Sequence, residues 1–183
     1  MVLRGFCYVV FGWVLIAIVG GLAEVFGLTV MLPATSAVIV THVAFGQTRS
    51  VPYGLAIAIA LGYLEDLHQG APVGTLTLAY ALTFLTLHWA SGRVAVRSFV
   101  TRAAAAAVAI ILVDAFTFAI LLSLAEPLAV GRAAVIAAIG TVHWHIIATV
   151  LVAPPVWGAF DRAFIALRLE DGPPKKVHWS GGR

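Results

Sequence analysis

The sequence predicts an all-α membrane protein: a polytopic bundle of six transmembrane helices with both termini cytoplasmic. Three observations carry that prediction. The first is composition, because 62% of the 183 residues are apolar and only 10% are charged, whereas a soluble domain has about half apolar and about a quarter charged residues. The second is length, since the apolar residues fall into runs that suit a hydrocarbon core of roughly 30 Å, which a helix crosses in about 20 residues. The third is charge placement: ten of the eleven Lys and Arg residues fall on one side of a six-span chain, and basic residues are retained on the cytoplasmic side. The same figures exclude a water-soluble globule, a disordered chain and a nucleic-acid-binding protein, for which a formal net charge of +3 is too small.

Read from charge to charge, the runs are Gly5–Ala23, Val30–Gly46, Val51–Leu64, Pro72–Trp89, Ala103–Ala125 and Ala133 to about Trp157. The first, fourth, fifth and sixth are long enough to span. The second carries Pro33 early, which suits a first helical turn, and the third spans only if it continues through Glu65 and Asp66. Five spans are the fallback, but five would scatter the charges. With six, Arg4, Arg49, Arg93, Arg97, Arg102, Arg162, Arg168, Lys175, Lys176 and Arg183 share the cytoplasmic side, while Arg132 lies opposite with Glu24, Glu65, Asp66 and Glu126. The first run exceeds the core of a cleaved signal peptide and is read as a retained span. Cys7 is the only cysteine, so no intrachain disulfide or cysteine-based metal site is expected, and its role is packing.

One integral-membrane domain is expected over residues 1–160, followed by a short basic tail over 161–183. At the junction, Trp157, Phe160, Phe164 and Leu167 recur at helical spacing, which predicts that the last helix runs on along the cytoplasmic surface until Gly172-Pro173-Pro174.

Ionisable groups at membrane depth are expensive and normally face a partner or a cavity. Asp114 sits near the middle of the fifth run and is read as a polar anchor, hydrogen-bonded to a neighbouring helix, with Thr117 at i+3 sharing the bond; a proton or ligand site is the other reading. His143 and His145 flank Trp144, but on a helix residues i and i+2 diverge by about 200°, which disfavours a shared metal ion. His42 and His88 are each isolated near a membrane boundary, and His68 sits beside Glu65 and Asp66 in an outer turn. No cofactor or metal site is expected.

The densest cluster is Gly62-Tyr63-Leu64-Glu65-Asp66-Leu67-His68-Gln69-Gly70-Ala71-Pro72-Val73-Gly74, in which Gly62, Asp66, Gly70 and Gly74 recur every four residues. Gly70 and Pro72 predict that one helix stops near Gln69 and the next begins at about Pro72. The result is a tight helical hairpin whose Asp66 accepts hydrogen bonds from backbone N–H groups at the turn or at the following helix's N-terminus.

With this G-x-x-x-D-x-x-x-G-x-x-x-G hairpin the chain resembles the rod shape-determining protein MreD family, as it does in size, in the Leu-Val-Asp of the fifth span at Asp114, and in the Ala-Pro-Pro that ends the last span. The family often carries Asn in that span where Thr149 stands here, and the His-Trp-His is a departure. The resemblance implies a non-enzymatic subunit of the bacterial inner membrane, a scaffold of the cell-elongation complex that builds side-wall peptidoglycan. It implies MreC as the direct partner, with MreB, RodA and a penicillin-binding transpeptidase in the same complex. The family is similar in six-helix plan to the substrate-binding membrane subunits of energy-coupling-factor vitamin transporters, which supplies an alternative. Such a subunit needs an outward pocket, for which Glu65, Asp66, His68 and His143 are candidates. An intramembrane enzyme is disfavoured, since Asp114 has no evident ionisable partner.

Overall fold

The computed structural model describes residues 2–27, 33–46, 50–69, 72–94, 96, 98–124, 139–140 and 142–167, all of them helix or short connection. Among the described residues six helices follow one another: α1 (Val2–Phe26), α2 (Thr35–Phe45), α3 (Val51–Gln69), α4 (Thr75–Ser91), α5 (Phe99–Ser123) and α6 (Val142–Ala166). Three of them, α1, α5 and α6, are long and apolar enough to cross a membrane. By contrast α2 has only 11 residues, α4 has 17, and α3, with 19, carries Glu65 and Asp66 in its last turns. Large apolar side chains such as Trp13, Ile18, Leu22, Ile111, Leu151 and Ile165 point outward, as expected where the surrounding solvent is lipid rather than water.

Side-chain contacts fix the helix directions. Tyr8 meets His42 and Gly12 approaches Ile39, so α1 and α2 are antiparallel. Gly5 lies under Tyr53 and Gly12 against Leu61, so α1 and α3 run parallel. Ala34 meets Thr149 and His42 meets Asp161, making α2 and α6 parallel. The six helices thus alternate in direction through the bundle. The described basic residues Arg4, Arg93, Arg102 and Arg162 collect at the end where α1 begins, and Glu24, Glu65 and Asp66 at the end where it finishes.

At the centre is α2, in contact with α1, α3, α4, α5 and α6. Every residue from Thr35 to Ala44 is buried, so this short helix is apolar or hydroxyl-bearing on nearly all sides rather than amphipathic. The core around it joins Tyr8, Ile39, Leu61, Tyr80, Phe84 and Phe160 in one cluster.

Helix α3 does continue past Leu64 to Gln69, through both acids. The next helix starts at Thr75 rather than Pro72, because Val73 and Gly74 form a turn in which Gly74 has a left-handed φ of 99° that favours glycine. Pro33 lies before α2 rather than in its first turn. Helix α5 begins at Phe99, four residues ahead of the apolar run, since Ser98 and Thr101 form a reciprocal capping box with threonine in the position usually held by Glu or Gln.

One expectation for α6 holds and one fails. The helix does run on past the Ala-Pro-Pro, through Pro154 and Pro155 to Ala166. But its later aromatic residues do not lie on the membrane surface: Trp157, Phe160 and Phe164 are buried in the bundle, with Phe160 and Phe164 packed around Tyr8. The spacing is helical, but the apolar face meets other helices instead of headgroups. Residue 160 lies within α6, in keeping with a last helix that runs on into the tail, and residues 168–183, with the basic tail and its Gly-Pro-Pro, lie outside the described residues, as do Arg49, Arg97, Glu126 and Arg132.

Close packing makes one glycine test sharp. A Cβ on Gly62 would stand 2.6 Å from Thr77 Cα and 2.8 Å from Leu76 O, both backbone atoms that yield only if α3 and α4 separate. Gly158, also helical, has nothing within 4 Å. Gly62→Ala should lower thermal stability in detergent by several degrees, whereas Gly158→Ala should leave it unchanged or raise it, since alanine is favoured over glycine in a helix by about 0.5–1 kcal/mol. Equal effects of the two would show that the α3–α4 approach is not limiting.

Candidate functional site

The hairpin between α3 and α4 is built on Asp66, which is 1% exposed. Its Oδ2 accepts from the backbone N–H of Gly74 at 2.9 Å and of Thr77 at 3.1 Å, and from the Thr77 hydroxyl at 2.7 Å. Its Oδ1 accepts from Leu76 N–H at 2.8 Å. These N–H groups belong to the start of α4, where no intrahelical acceptor exists. The residue before that helix is Gly74, which has no side chain to cap with, so a carboxylate from the preceding helix caps it instead. It also places negative charge at the positive end of the α4 dipole. Gly62, one turn earlier on the same face of α3, allows the two backbones to approach closely enough for the carboxylate to reach. Of the four motif residues, Gly62, Asp66 and Gly74 meet at this junction; Gly70 lies outside the described residues.

Glu65, one residue away, points elsewhere, as adjacent helical residues must. It is 4% exposed; Tyr80 Oη donates to its Oε2 at 2.7 Å, with Gln69 Nε2 at 3.5 Å. Glu65 also lines a cavity of about 760 Å³ at the end of the bundle where α1, α3 and α5 finish. Apolar walls come from residues such as Ile16, Ile110 and Val113, and polar groups from Glu24, Glu65, His68, Asp114, Thr117 and His145. No Lys or Arg is among the described lining residues.

Asp114 and Thr117 are among the residues that line this cavity, and no neighbouring helix supplies a hydrogen bond to Asp114 Oδ2 or Thr117 Oγ1. The expected anchor is therefore corrected: Asp114 Oδ2 and Thr117 Oγ1 are shielded from solvent, yet neither has a hydrogen-bond partner. The i+3 spacing does put them one turn apart beside the cavity, but no donor or acceptor meets these two oxygens. Among the histidines proposed for a pocket, His68 lines it with Nδ1 bonded to Leu64 O at 3.0 Å, while His145 replaces His143, whose ring packs on Trp144 instead. Asp66 is spent on the α4 cap. No group of three or more His, Cys, Asp or Glu among the described residues is arranged to hold a metal ion.

The opposite end of the bundle holds a network that the sequence did not reveal. His42 is buried, with Tyr8 Oη at 2.8 Å from Nδ1 and Asp161 Oδ1 at 3.0 Å from Nε2. Arg102 Nη1 sits 3.0 Å from Asp161 Oδ2. Trp157 Nε1 donates to Val38 O at 3.0 Å, and the guanidinium of Arg102 lies over the Trp157 ring. This links α1, α2, α5 and α6 through partners as far as 119 residues apart. His42 is thus a junction rather than an isolated boundary residue. His88 stacks on Phe84.

Comparison of the chain with protein-family profiles, curated proteins and solved structures finds no match. What the fold defines is its class, an all-helical protein with helices able to span a membrane.

Two substitutions test the site. Asp66→Ala strands three backbone donors and a hydroxyl, each bond to a charged group contributing about 1.5–3 kcal/mol, so the fraction folded under SDS titration should fall steeply; Asp66→Asn, which keeps one acceptor oxygen, should fall between. At the other end, Asp161→Ala should destabilise less than Asp66→Ala, because Asp161 is partly exposed and water can replace its partners. A reversed order would mean that the His42 network, and not the hairpin, limits stability.

Proposed function

We propose that the chain is a non-enzymatic integral membrane subunit of the bacterial cell-elongation complex, seated in the inner membrane with both termini cytoplasmic, and scaffolding side-wall peptidoglycan synthesis through contact with MreC. MreB, RodA and a penicillin-binding transpeptidase are its expected neighbours in that complex. The observation that supports this reading is the α3–α4 hairpin, where the motif shared with the MreD family has a definite structural role, in that Gly62 admits α4 and Asp66 caps it. The six alternating helices and the basic residues gathered at one end are consistent with six spans in the stated orientation.

A second reading, a substrate-binding membrane subunit of an energy-coupling-factor vitamin transporter, draws support from the cavity lined by Glu65, Asp114 and His145. The two readings call for different partners. Affinity capture of the tagged full chain from native membranes should recover MreC, and Asp66→Ala should reduce that recovery by about half or more through loss of folded protein. Recovery of a pair of ATPases with a second membrane subunit, and no MreC, would replace the first reading with the second.

A further inference from the structure

We propose that the cavity between α1, α3, α5 and α6 binds a small organic cation, an ammonium group carried on an apolar body, with Asp114 as the residue that takes the charge. The inference deepens the second reading by giving the ligand its chemistry, yet it depends on the cavity alone and can hold in a subunit with any partners.

Size comes first. A volume of about 760 Å³ lies within the range of roughly 300–1,000 Å³ of sites that enclose small molecules. Much of its wall is aliphatic, including Ile16, Val19, Leu76, Ile110 and Val113, which favours a ligand with an apolar body. Among the described lining residues the charge is one-sided: Glu24, Glu65 and Asp114 contribute carboxyl groups, with no Lys or Arg beside them. An anionic ligand would meet like charge, whereas a cation is complemented.

Asp114 is singled out by what the neighbouring acids already do. Glu65 is engaged by Tyr80, and Asp66 has its acceptor capacity filled by the α4 terminus. Asp114 Oδ2 is removed from solvent and unpartnered, and so is Thr117 Oγ1 one turn further along α5. A shielded carboxyl oxygen without a donor is an unfavourable arrangement in apolar surroundings. An ammonium group has N–H donors to supply, and a hydroxyl at i+3 can accept a second of them. At the other end of the bundle the one carboxylate of the His42 network, Asp161, is already paired with His42 and Arg102 and is not open to a ligand in the same way.

The test uses the purified full chain in lipid nanodiscs and two pairs of probes matched in shape, benzylamine with benzyl alcohol and tryptamine with tryptophol. Saturable binding of at least one amine is expected, with its alcohol about 10- to 100-fold weaker, the equivalent of one charge-assisted hydrogen bond. Asp114→Asn should remove that preference while leaving thermal stability near wild type, since Oδ2 has no bond to lose. Ala17→Trp, at an exposed position on the cavity wall, should weaken amine and alcohol together, and it carries the test should the Asp114 variant not fold. Equal binding of amine and alcohol, no saturable binding of either amine, or an unchanged preference in Asp114→Asn would overturn the assignment. Capture of MreC or of ATPases bears only on the partner readings, so the two can fail separately.

Discussion

Much of this structure depends on one constraint: a helix that ends within apolar surroundings must find partners for backbone groups that its own turns leave unbonded. Here other helices supply those partners. Asp66 on α3 takes three N–H groups at the start of α4, and Thr149 on α6 takes the Ala34 N–H at the start of α2 at 3.0 Å. Trp157 on α6 adds a second donor to the Val38 carbonyl inside α2, tying the two helices together rather than filling a vacant terminus. The helices of 11 and 17 residues begin at buried positions, Thr35 and Thr75, so their ends call for such partners. The long helices α1 and α5 face the problem less, and α5 is capped by its own Ser98 and Thr101.

From this constraint follows the difference between the two ends of the bundle. Where α1 begins, Tyr8, Phe160 and Phe164 pack on one another, His42 bridges Tyr8 and Asp161, and Arg102 closes the network. Where α1 finishes, Glu65 and Tyr80 pair beside a cavity, while the wall contributed by α5 keeps an acid and a hydroxyl without partners. At one end Tyr8, His42, Asp161 and Arg102 hold helices together. At the other, residues beside a cavity include an acid and a hydroxyl without partners, and polar groups lining a cavity are what a ligand requires.

How much of this was legible in the sequence tracks separation along the chain. The Asp66 cap was readable because donor and acceptor lie within eleven residues of each other, and a Gly-rich break between two apolar runs leaves few ways to fold back. The helix count and the grouping of basic residues were readable for a related reason: they depend on composition and order, not on which faces meet. His42 pairing with Asp161 was not readable, since its partner is 119 residues distant and each residue taken alone resembles a boundary group. Asp114 was read as an anchor because intramembrane carboxyls usually find a partner, and nothing in the sequence distinguishes a wall that borders a helix from one that borders a void. In α6 the helical spacing of Trp157, Phe160 and Phe164 made the continuation past Pro154 and Pro155 readable, although proline removes an amide donor, but not which surface those aromatic residues meet. There the helix is held beyond the prolines by burial of Trp157, Phe160 and Phe164, which outweighs the two lost donors.

Glu65 and Asp66 show how finely the two demands are divided. Consecutive residues on a helix point about 100° apart, so two acids that look interchangeable in sequence serve different surroundings. Asp66 turns toward α4 and closes the hairpin; Glu65 turns toward Tyr80 and the cavity. The pairing has a mechanical consequence, because the turn of α3 that fixes the start of α4 also carries part of the cavity wall, and Tyr80 on α4 is bonded to that same turn. A ligand that draws on Glu65 or displaces Tyr80 therefore acts on the hairpin directly, with no intervening chain of residues. The Glu65–Tyr80 bond thus ties the cavity wall and the α3–α4 junction to a single turn of α3.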